Sequence, residues 1–251
     1  MMQLDILAFG SHPDDVEIGI GGTLIKHASS GHKCGIVDLT GGEMGSNGTP
    51  EIRRQEALSA AEIMGMAVRD NLGLPDARLR VDEESLRAVI EVIRKYRPRV
   101  VLGPYWQDKH PDHLRASQLV REAAYLSGLR RYPAEGEPYR PPLICQYFLA
   151  VFAEPTFVVD ISACYERKLE ALCAHQSQFG LPRNTDWRTL VNDPLFIRMI
   201  QARDQYVGSM VQTLYGEGLY LEQKVVVEDL TALRSLPQDG PAWKVVRERS
   251  T

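Results

Sequence analysis

The chain is poor in cysteine and holds no paired arrangement of it. Cys34, Cys145, Cys164 and Cys173 are the four present in 251 residues, and none forms a C-x-x-C pair. That argues against a cysteine zinc knuckle or a dithiol redox centre and leaves buried reduced thiols as the expectation. A basic excess is also lacking: the formal net charge is −4. With no nucleic-acid recognition motif either, no nucleic-acid partner is expected. No uninterrupted apolar stretch reaches membrane-spanning length, and no basic segment followed by an apolar helix opens the sequence. The expectation is therefore a soluble, cytoplasmic protein without membrane association. Gly19, Gly21 and Gly22 do not compose G-x-G-x-x-G, so a dinucleotide site is not supported, and these glycines are expected to let a helix pack closely on a strand. No internal repeat stands out.

What is present suits one substantial core. The composition is 44% hydrophobic over 251 residues, and a single domain spanning 1–251 is expected. Leu4 to Phe9 reads as a short buried strand, Cys34 to Thr40 as a second, Asn71 to Leu74 as a short third and Arg99 to Gly103 as a fourth. Between them fall helical patterns. One continues through Gly21 to Lys26 and ends near Gly31; one opens at Pro50 and Glu51 and runs to about Met64; one is capped by Asp82, with Leu86, Val89, Ile90 and Ile93 at helical spacing. A further helix is expected over Leu114 to Ser127, then a proline-rich surface connection over Tyr132 to Pro142. Strands at Ile144 to Phe152 and Phe157 to Ile161, helices over about 163–175 and 194–207, and a last strand at Val225 to Val227 complete the expected order. The alternation indicates an α/β fold: a mostly parallel, Rossmann-like sheet flanked by helices, with the active site at the C-terminal edge of the strands.

Two clusters fall at that edge. Gly10 allows a sharp turn after the first strand, and Ser11-His12-Pro13-Asp14-Asp15 then places an imidazole and two carboxylates beyond it. His-x-x-Asp alone is common, and Asp14 or Asp15 could simply cap the following helix. About a hundred residues later the fourth strand leads into His110-Pro111-Asp112-His113, a second His/Asp cluster in the same kind of position. Two histidines and a carboxylate around a tetrahedral ion leave a fourth position for water, so His12, Asp15 and His113 are assigned as metal ligands. The metal is expected to be Zn2+, although a His2Asp site also accommodates Fe2+ or another divalent ion. Asp14 is the candidate general base, and His110 the group that stabilises the oxyanion and protonates the leaving amine. Asp112 is expected to orient the His110 imidazole, with a helix N-cap as its structural alternative. Met44 to Pro50 forms a loop expected at the substrate rim. Arg53 and Arg54 sit at a helix N-terminus, where cations are disfavoured, which suggests that one is held there for an anionic or hydroxyl-rich ligand. His27, His32 and His175 are left out of the site.

The pairing of Ser11-His12-Pro13-Asp14-Asp15 with His110-Pro111-Asp112-His113 resembles the LmbE/PIG-L superfamily of zinc-dependent N-acetylglucosamine deacetylases, whose signatures have the form (A/S)HPDD and HxDH. Ser46 to Thr49, the Arg53 to Glu56 region and Glu170 to Phe179 look like the bacillithiol-biosynthesis branch. The resemblance implies metal ligation by His12, Asp15 and His113, a base at Asp14, an oxyanion-stabilising histidine at His110 and a substrate-contacting arginine at Arg53. The implied reaction converts N-acetylglucosaminyl-malate to glucosaminyl-malate and acetate. Malate is dianionic, which gives Arg53 and Lys109 a reason to be present, and Ser11, Glu43 and Asn47 are further substrate-binding candidates. Some relatives carry a mobile tyrosine where this chain has Phe196. The resemblance also implies a homo-oligomer, a hexamer or trimer-based assembly, with Arg140 reaching a neighbour's site.

Overall fold

The computed structural model describes residues 2–179 and 187–234. Its elements run β1 (Ile6–Gly10), α1 (Asp15–Ser29), β2 (Cys34–Thr40), α2 (Pro50–Met64), β3 (Val68–Leu74), α3 (Glu83–Tyr96), β4 (Val100–Pro104) and α4 (Pro111–Leu126). There follow β5 (Leu143–Tyr147), β6 (Phe157–Asp160), α5 (Tyr165–Ala174), the single turn α6 (Gln176–Phe179), α7 (Pro194–Met210) and β7 (Gly216–Tyr220). One sheet takes the order β3-β2-β1-β4-β5-β7-β6. Strands β1 to β5 pair in parallel, whereas β7 runs antiparallel to both β5 and β6. The expected mostly parallel, helix-flanked sheet is the one found.

Alternation along the strands divides the core in two. Leu7 and Phe9 of β1 join Val37, Leu39 and Val101 against α3 and α4, while Ile6 and Ala8 join Ile36 and Leu102 against α1, α2 and α5. Strand β1 is central and apolar on both faces, so its C-terminal end is fixed from every side and the loop after it starts from a rigid point.

Helix α1 is not continuous. Ile20 leaves helical geometry at φ −145° and ψ 23°, between the turn that carries Asp15 and the longer segment that follows. Close packing accounts for two of the three glycines: a Cβ on Gly19 would stand 2.3 Å from the Tyr147 ring and one on Gly22 would stand 2.7 Å from Ile161, whereas one on Gly21 would meet nothing closer than 3.5 Å.

Three element expectations need correction. Val225 to Val227 form no strand; they are exposed, and the last strand among the described residues is Gly216–Tyr220. Its Gly-Glu-Gly start hides it from a β-propensity reading, yet both glycines are required, because a Cβ on Gly216 or Gly218 would come within 3 Å of Val158 or Pro155. Strand β5 stops at Tyr147 rather than Phe152, and β3 begins earlier, at Val68. Among the cysteines, Cys34 and Cys145 are buried, whereas Cys164 is half-buried and Cys173 exposed.

Candidate metal centre and active site

The site grows from the turn after β1. A Cβ on Gly10 would lie 3.1 Å from the carbonyl oxygen of His12, so the chain can reverse tightly there. The Thr40 amide and hydroxyl both donate to the Ser11 carbonyl, at 3.0 and 2.8 Å, and tie the turn to the end of β2. Asp14 adopts φ 124°, a conformation that ordinary L residues rarely hold, and then α1 begins with Asp15. The second half of the site comes from β4 and the first turn of α4, where Pro111 opens the helix.

These two turns meet. Asp15 Oδ2 lies 3.4 Å from His12 Nδ1, and Asp15 Oδ1 lies 3.3 Å from His113 Nε2, so one carboxylate faces both imidazoles. The outer ring nitrogens are held by other carboxylates: His12 Nε2 is 3.1 Å from Asp76 and 3.5 Å from Asp112, and His113 Nδ1 is 3.1 Å from Asp108. His110 stacks on His113 at 4.7 Å and meets His12 edge-on at 4.8 Å. The three histidines offer ring nitrogens within 4.8 Å of one another. A second grouping, His12 with Asp76 and Asp112, uses carboxylates that also accept backbone amides: Asp76 from Met44 and Ala77, and Asp112 from Ala77. Such anchored acids act as orienting partners. Imidazoles whose inner nitrogens converge on a shared carboxylate, and whose outer nitrogens are fixed by acids, suit a divalent cation of the zinc type.

The electrostatics agree with a site built around positive charge. Burial alone would push His12 down, but the Asp112, Asp15 and Asp76 carboxylates raise it well above the ordinary histidine value. His113 is likewise raised to about 9 by Asp15 and Asp108 against the effect of burial. His110 goes the other way, lowered by burial and by the neighbouring His12 and His113. Asp15 is held well below the usual carboxylate range, because the attraction of His113 and His12 exceeds the cost of burial. Asp14 is pushed up to about 6 by burial, with Arg53 opposing and Asp15 reinforcing. A bound cation favours the ionised form of a nearby acid.

Arg53, from the first turn of α2, is buried and turned inward. Its guanidinium donates to the carbonyls of Gly42 and Pro13, both at 2.9 Å, and to Asp14 Oδ2 at 3.4 Å. It therefore fixes the strained Asp14 turn. Asp112 departs from its expected partner: its carboxylate turns to His12, while its backbone amide donates to His110 Nδ1 at 3.2 Å, making His110 the N-cap of α4. Glu43 accepts the Asp76 amide at 2.8 Å and so supports the acid that holds His12. The Asn47 side chain pairs with the amide and carbonyl of Trp187, both at 2.9 Å. Ser11 is fully buried, and its hydroxyl has no hydrogen-bond partner among the described residues. Lys109 lines the cavity of about 520 Å³ that opens over the cluster, as do Ile18, Met44, Leu149 and Phe196. Phe196 stacks on Phe179 with centroids 5.9 Å apart.

Sequence reasoning missed four acids and a histidine. Asp76 and Asp108 follow β3 and β4 at the same sheet edge as the recognised clusters, and that position was the available signal. His175 lies fully buried with its Nε2 3.0 Å from Glu17, which also meets Arg69 at 2.6 Å, while Arg69 reaches Asp38 at 2.8 Å. No local motif announces that network, because its members come from α1, β2, β3 and the residue after α5.

A carboxylate shared by two oriented imidazoles, beside a second buried carboxylate in an open cavity, defines a metal-dependent hydrolase centre. Residues 7–124 match the PIG-L family, described as GlcNAc-PI de-N-acetylase. The chain is 33% identical to the diacetylchitobiose deacetylase of Thermococcus kodakarensis, over 85% of this chain and 81% of that protein. It is 30% identical to a probable N-acetyl-alpha-D-glucosaminyl L-malate deacetylase 2 of Bacillus cereus, over 70% of this chain and 84% of that protein. Among solved structures, a conserved protein of Thermus thermophilus superposes with a TM-score of 0.84 at 38% identity, covering 92% of this chain and all of the other. The chain belongs to the PIG-L family and has its zinc-binding deacetylase fold. No helix among the described residues is long and apolar enough to cross a membrane.

Proposed function

We propose that this chain hydrolyses the acetamide of an N-acetylglucosamine conjugate, with N-acetylglucosaminyl-malate as substrate and glucosaminyl-malate and acetate as products, in bacillithiol biosynthesis. The observation that carries the reading is Asp14: a buried carboxylate in the cavity, next in sequence to the acid that two imidazoles share, and held by Arg53 rather than by either histidine. The likeness to deacetylases of acetylated amino sugars, one of them named for a malate conjugate, supports the substrate class.

In this reading His12, Asp15 and His113 hold zinc, or Fe2+ in its place. When bound, the ion supplies Lewis acidity toward the acetamide carbonyl and lowers the pKa of a water molecule toward neutrality. Asp14 takes the proton from the attacking water, and Arg53 keeps it aimed by holding the turn on both sides. His110, whose Nδ1 accepts from the Asp112 amide, presents its Nε2–H to the oxyanion, and the proton that Asp14 has taken from water passes to the departing amine. Asp112 and Asp76 hold the tautomer of His12, and Asp108 that of His113. Phe196 brings no hydroxyl to the cavity, so in this reading stabilisation of the oxyanion falls more heavily on His110, and a bound ion would share it.

Lys109, on the cavity wall, is the residue for a malate carboxylate, with Ser11, Glu43, Asn47 and Arg53 shaping the surrounding loops. The protein is read as one cytoplasmic domain that works as a homo-oligomer, a hexamer or trimer-based assembly. Arg140, exposed and lying over the Tyr125 ring at 4.2 Å, is assigned in this reading the role of reaching a neighbouring copy's site. The deciding experiment measures acetate release from N-acetylglucosaminyl-malate, diacetylchitobiose and free N-acetylglucosamine, each with and without chelator, alongside metal analysis. Equal rates on the malate conjugate and the free sugar would remove the malate assignment, and chelator-resistant hydrolysis would remove the metal mechanism.

A further inference from the structure

The break in α1 is bridged entirely by charged side chains from the far end of the sequence. Where the helix leaves its path at Ile20, the carbonyl of Ile18 loses its usual partner and accepts from the Arg203 guanidinium of α7. On the other side of the break, the amides of Gly22 and Thr23 donate to the two oxygens of Glu217 on β7, at 2.9 and 2.6 Å. The segment before the break therefore ends on a cation, and the segment after it starts on an anion. That is the arrangement each helix end favours. Lys168 of α5 joins the two halves, with its ammonium 2.5 Å from Asp204 and 2.8 Å from Glu217; Asp204 in turn accepts from Arg203 at 3.0 Å. Lys168, Asp204 and Glu217 are all at most 2% exposed.

Burying three ionised groups is costly, and an apolar cluster of similar volume would often serve stability as well or better. What an apolar cluster cannot do is accept two adjacent amides and cap a carbonyl, and the capped carbonyl, that of Ile18, belongs to the short segment from Asp15 to Gly19. That segment carries one proposed metal ligand, starts beside the proposed base, and presents Ile18 to the cavity. The helix that supplies Arg203 and Asp204 also supplies Phe196 to the same cavity.

We propose that Glu217 is a positioning residue for the metal-dependent reaction: it braces the segment after the break directly and, through Lys168, Asp204 and Arg203, the Ile18 carbonyl before it, and so keeps the first turn of α1, with Asp14 and Asp15, at the angle the site requires. Arg203, Lys168 and Asp204 complete the clamp and link it to the cavity wall formed by α7. The proposal rests on the deacetylase reading for its kinetic readout, but its metal readout stands apart from any substrate.

The test compares Glu217→Gln with the double variant Lys168→Met/Glu217→Gln, which removes both buried charges of that pair together. For each, thermal midpoint, zinc affinity of the chelator-stripped protein, kcat and KM are measured. The double variant is expected to recover most of the thermal midpoint lost by the single one. Its zinc affinity is expected to stay at least tenfold weaker and its kcat at least tenfold lower than wild type, with KM changed less than threefold. Zinc affinity and kcat that return with the midpoint would show a purely structural role and overturn the proposal. A second measurement uses the unaltered protein and so does not depend on any variant folding. Coupling is reciprocal, so zinc must tighten the clamp it depends on, and the Gly22 and Thr23 amides should exchange with solvent at least tenfold more slowly in the zinc-loaded protein. Equal exchange with and without zinc would overturn the proposal even if every substrate failed. Failure of hydrolysis alone, with zinc-dependent exchange intact, would count against the deacetylase reading and leave the clamp standing.

Discussion

Replacing Asp14 by asparagine separates proton transfer from metal binding. The substitution keeps the shape of the side chain and an oxygen that Arg53 can approach, and it removes only the negative charge. Arg53 retains two carbonyl acceptors at 2.9 Å, and its contact with Asp14, at 3.4 Å, is longer than a good charge-assisted bond. The stability loss should therefore be about 1–3 kcal/mol, small enough to leave the chain folded at 25 °C. A positioned general base contributes about 10²- to 10⁴-fold in rate, equivalent to about 2.7–5.4 kcal/mol of activation free energy. Acetate release should fall by that factor while KM and zinc content, measured by elemental analysis of the same preparation, stay near wild type. A variant within tenfold of the wild-type kcat would refute the role given to Asp14. A variant that had lost its zinc would refute the division of labour between Asp14 and Asp15.

Arg53→Met should cost about 3–5 kcal/mol by chemical denaturation, because it strands the buried Asp14 carboxylate and two carbonyls, and it should lower kcat with it. Gly19→Ala should destabilise by about 1–3 kcal/mol in the same assay, since its methyl group would collide with the Tyr147 ring, which is fixed by a 2.8 Å hydrogen bond to the Phe9 carbonyl. Glu17 is held down to about 2 by Arg69 and His175 in spite of its burial. Its folded value lies below its unfolded one, so its contribution to stability is present above pH of about 4.5 and is lost as the pH falls toward about 2. The stability gap between wild type and Glu17→Gln, followed by urea denaturation, should narrow across that interval; a constant gap would contradict the assignment.

The sheet was legible because β1, β2 and β4 are short, largely apolar runs with helical segments between them, plainest in Val89, Ile90 and Ile93 of α3. It became illegible where the chain changes direction. The antiparallel β7 is punctuated by glycines needed for close contact, while the valines of 225–227, which look like a strand, are exposed and pair with no strand among the described residues. In the site, residues that are adjacent in sequence could be read together: His12 with Asp14 and Asp15, and His110 with Asp112 and His113. Their actual partners could not. Asp112 turns to His12 rather than to its neighbour His110, and Asp76 and Asp108 enter through loops whose convergence only the assembled sheet produces. Arg53, together with Arg54, was singled out for sitting at the wrong end of a helix dipole. The structure resolves that conflict by turning it into the site, onto two carbonyls and the Asp14 carboxylate.

The order of the chain gives the broken helix a consequence in time. A polypeptide extruded as far as His113 already contains all three proposed ligands, yet it is more than a hundred residues short of Glu217, whose carboxylate accepts the Gly22 and Thr23 amides beyond the break in α1. On the proposed clamp, capture of an ion during synthesis and readiness to turn over are separate milestones, and the second waits for β7 to leave the ribosome.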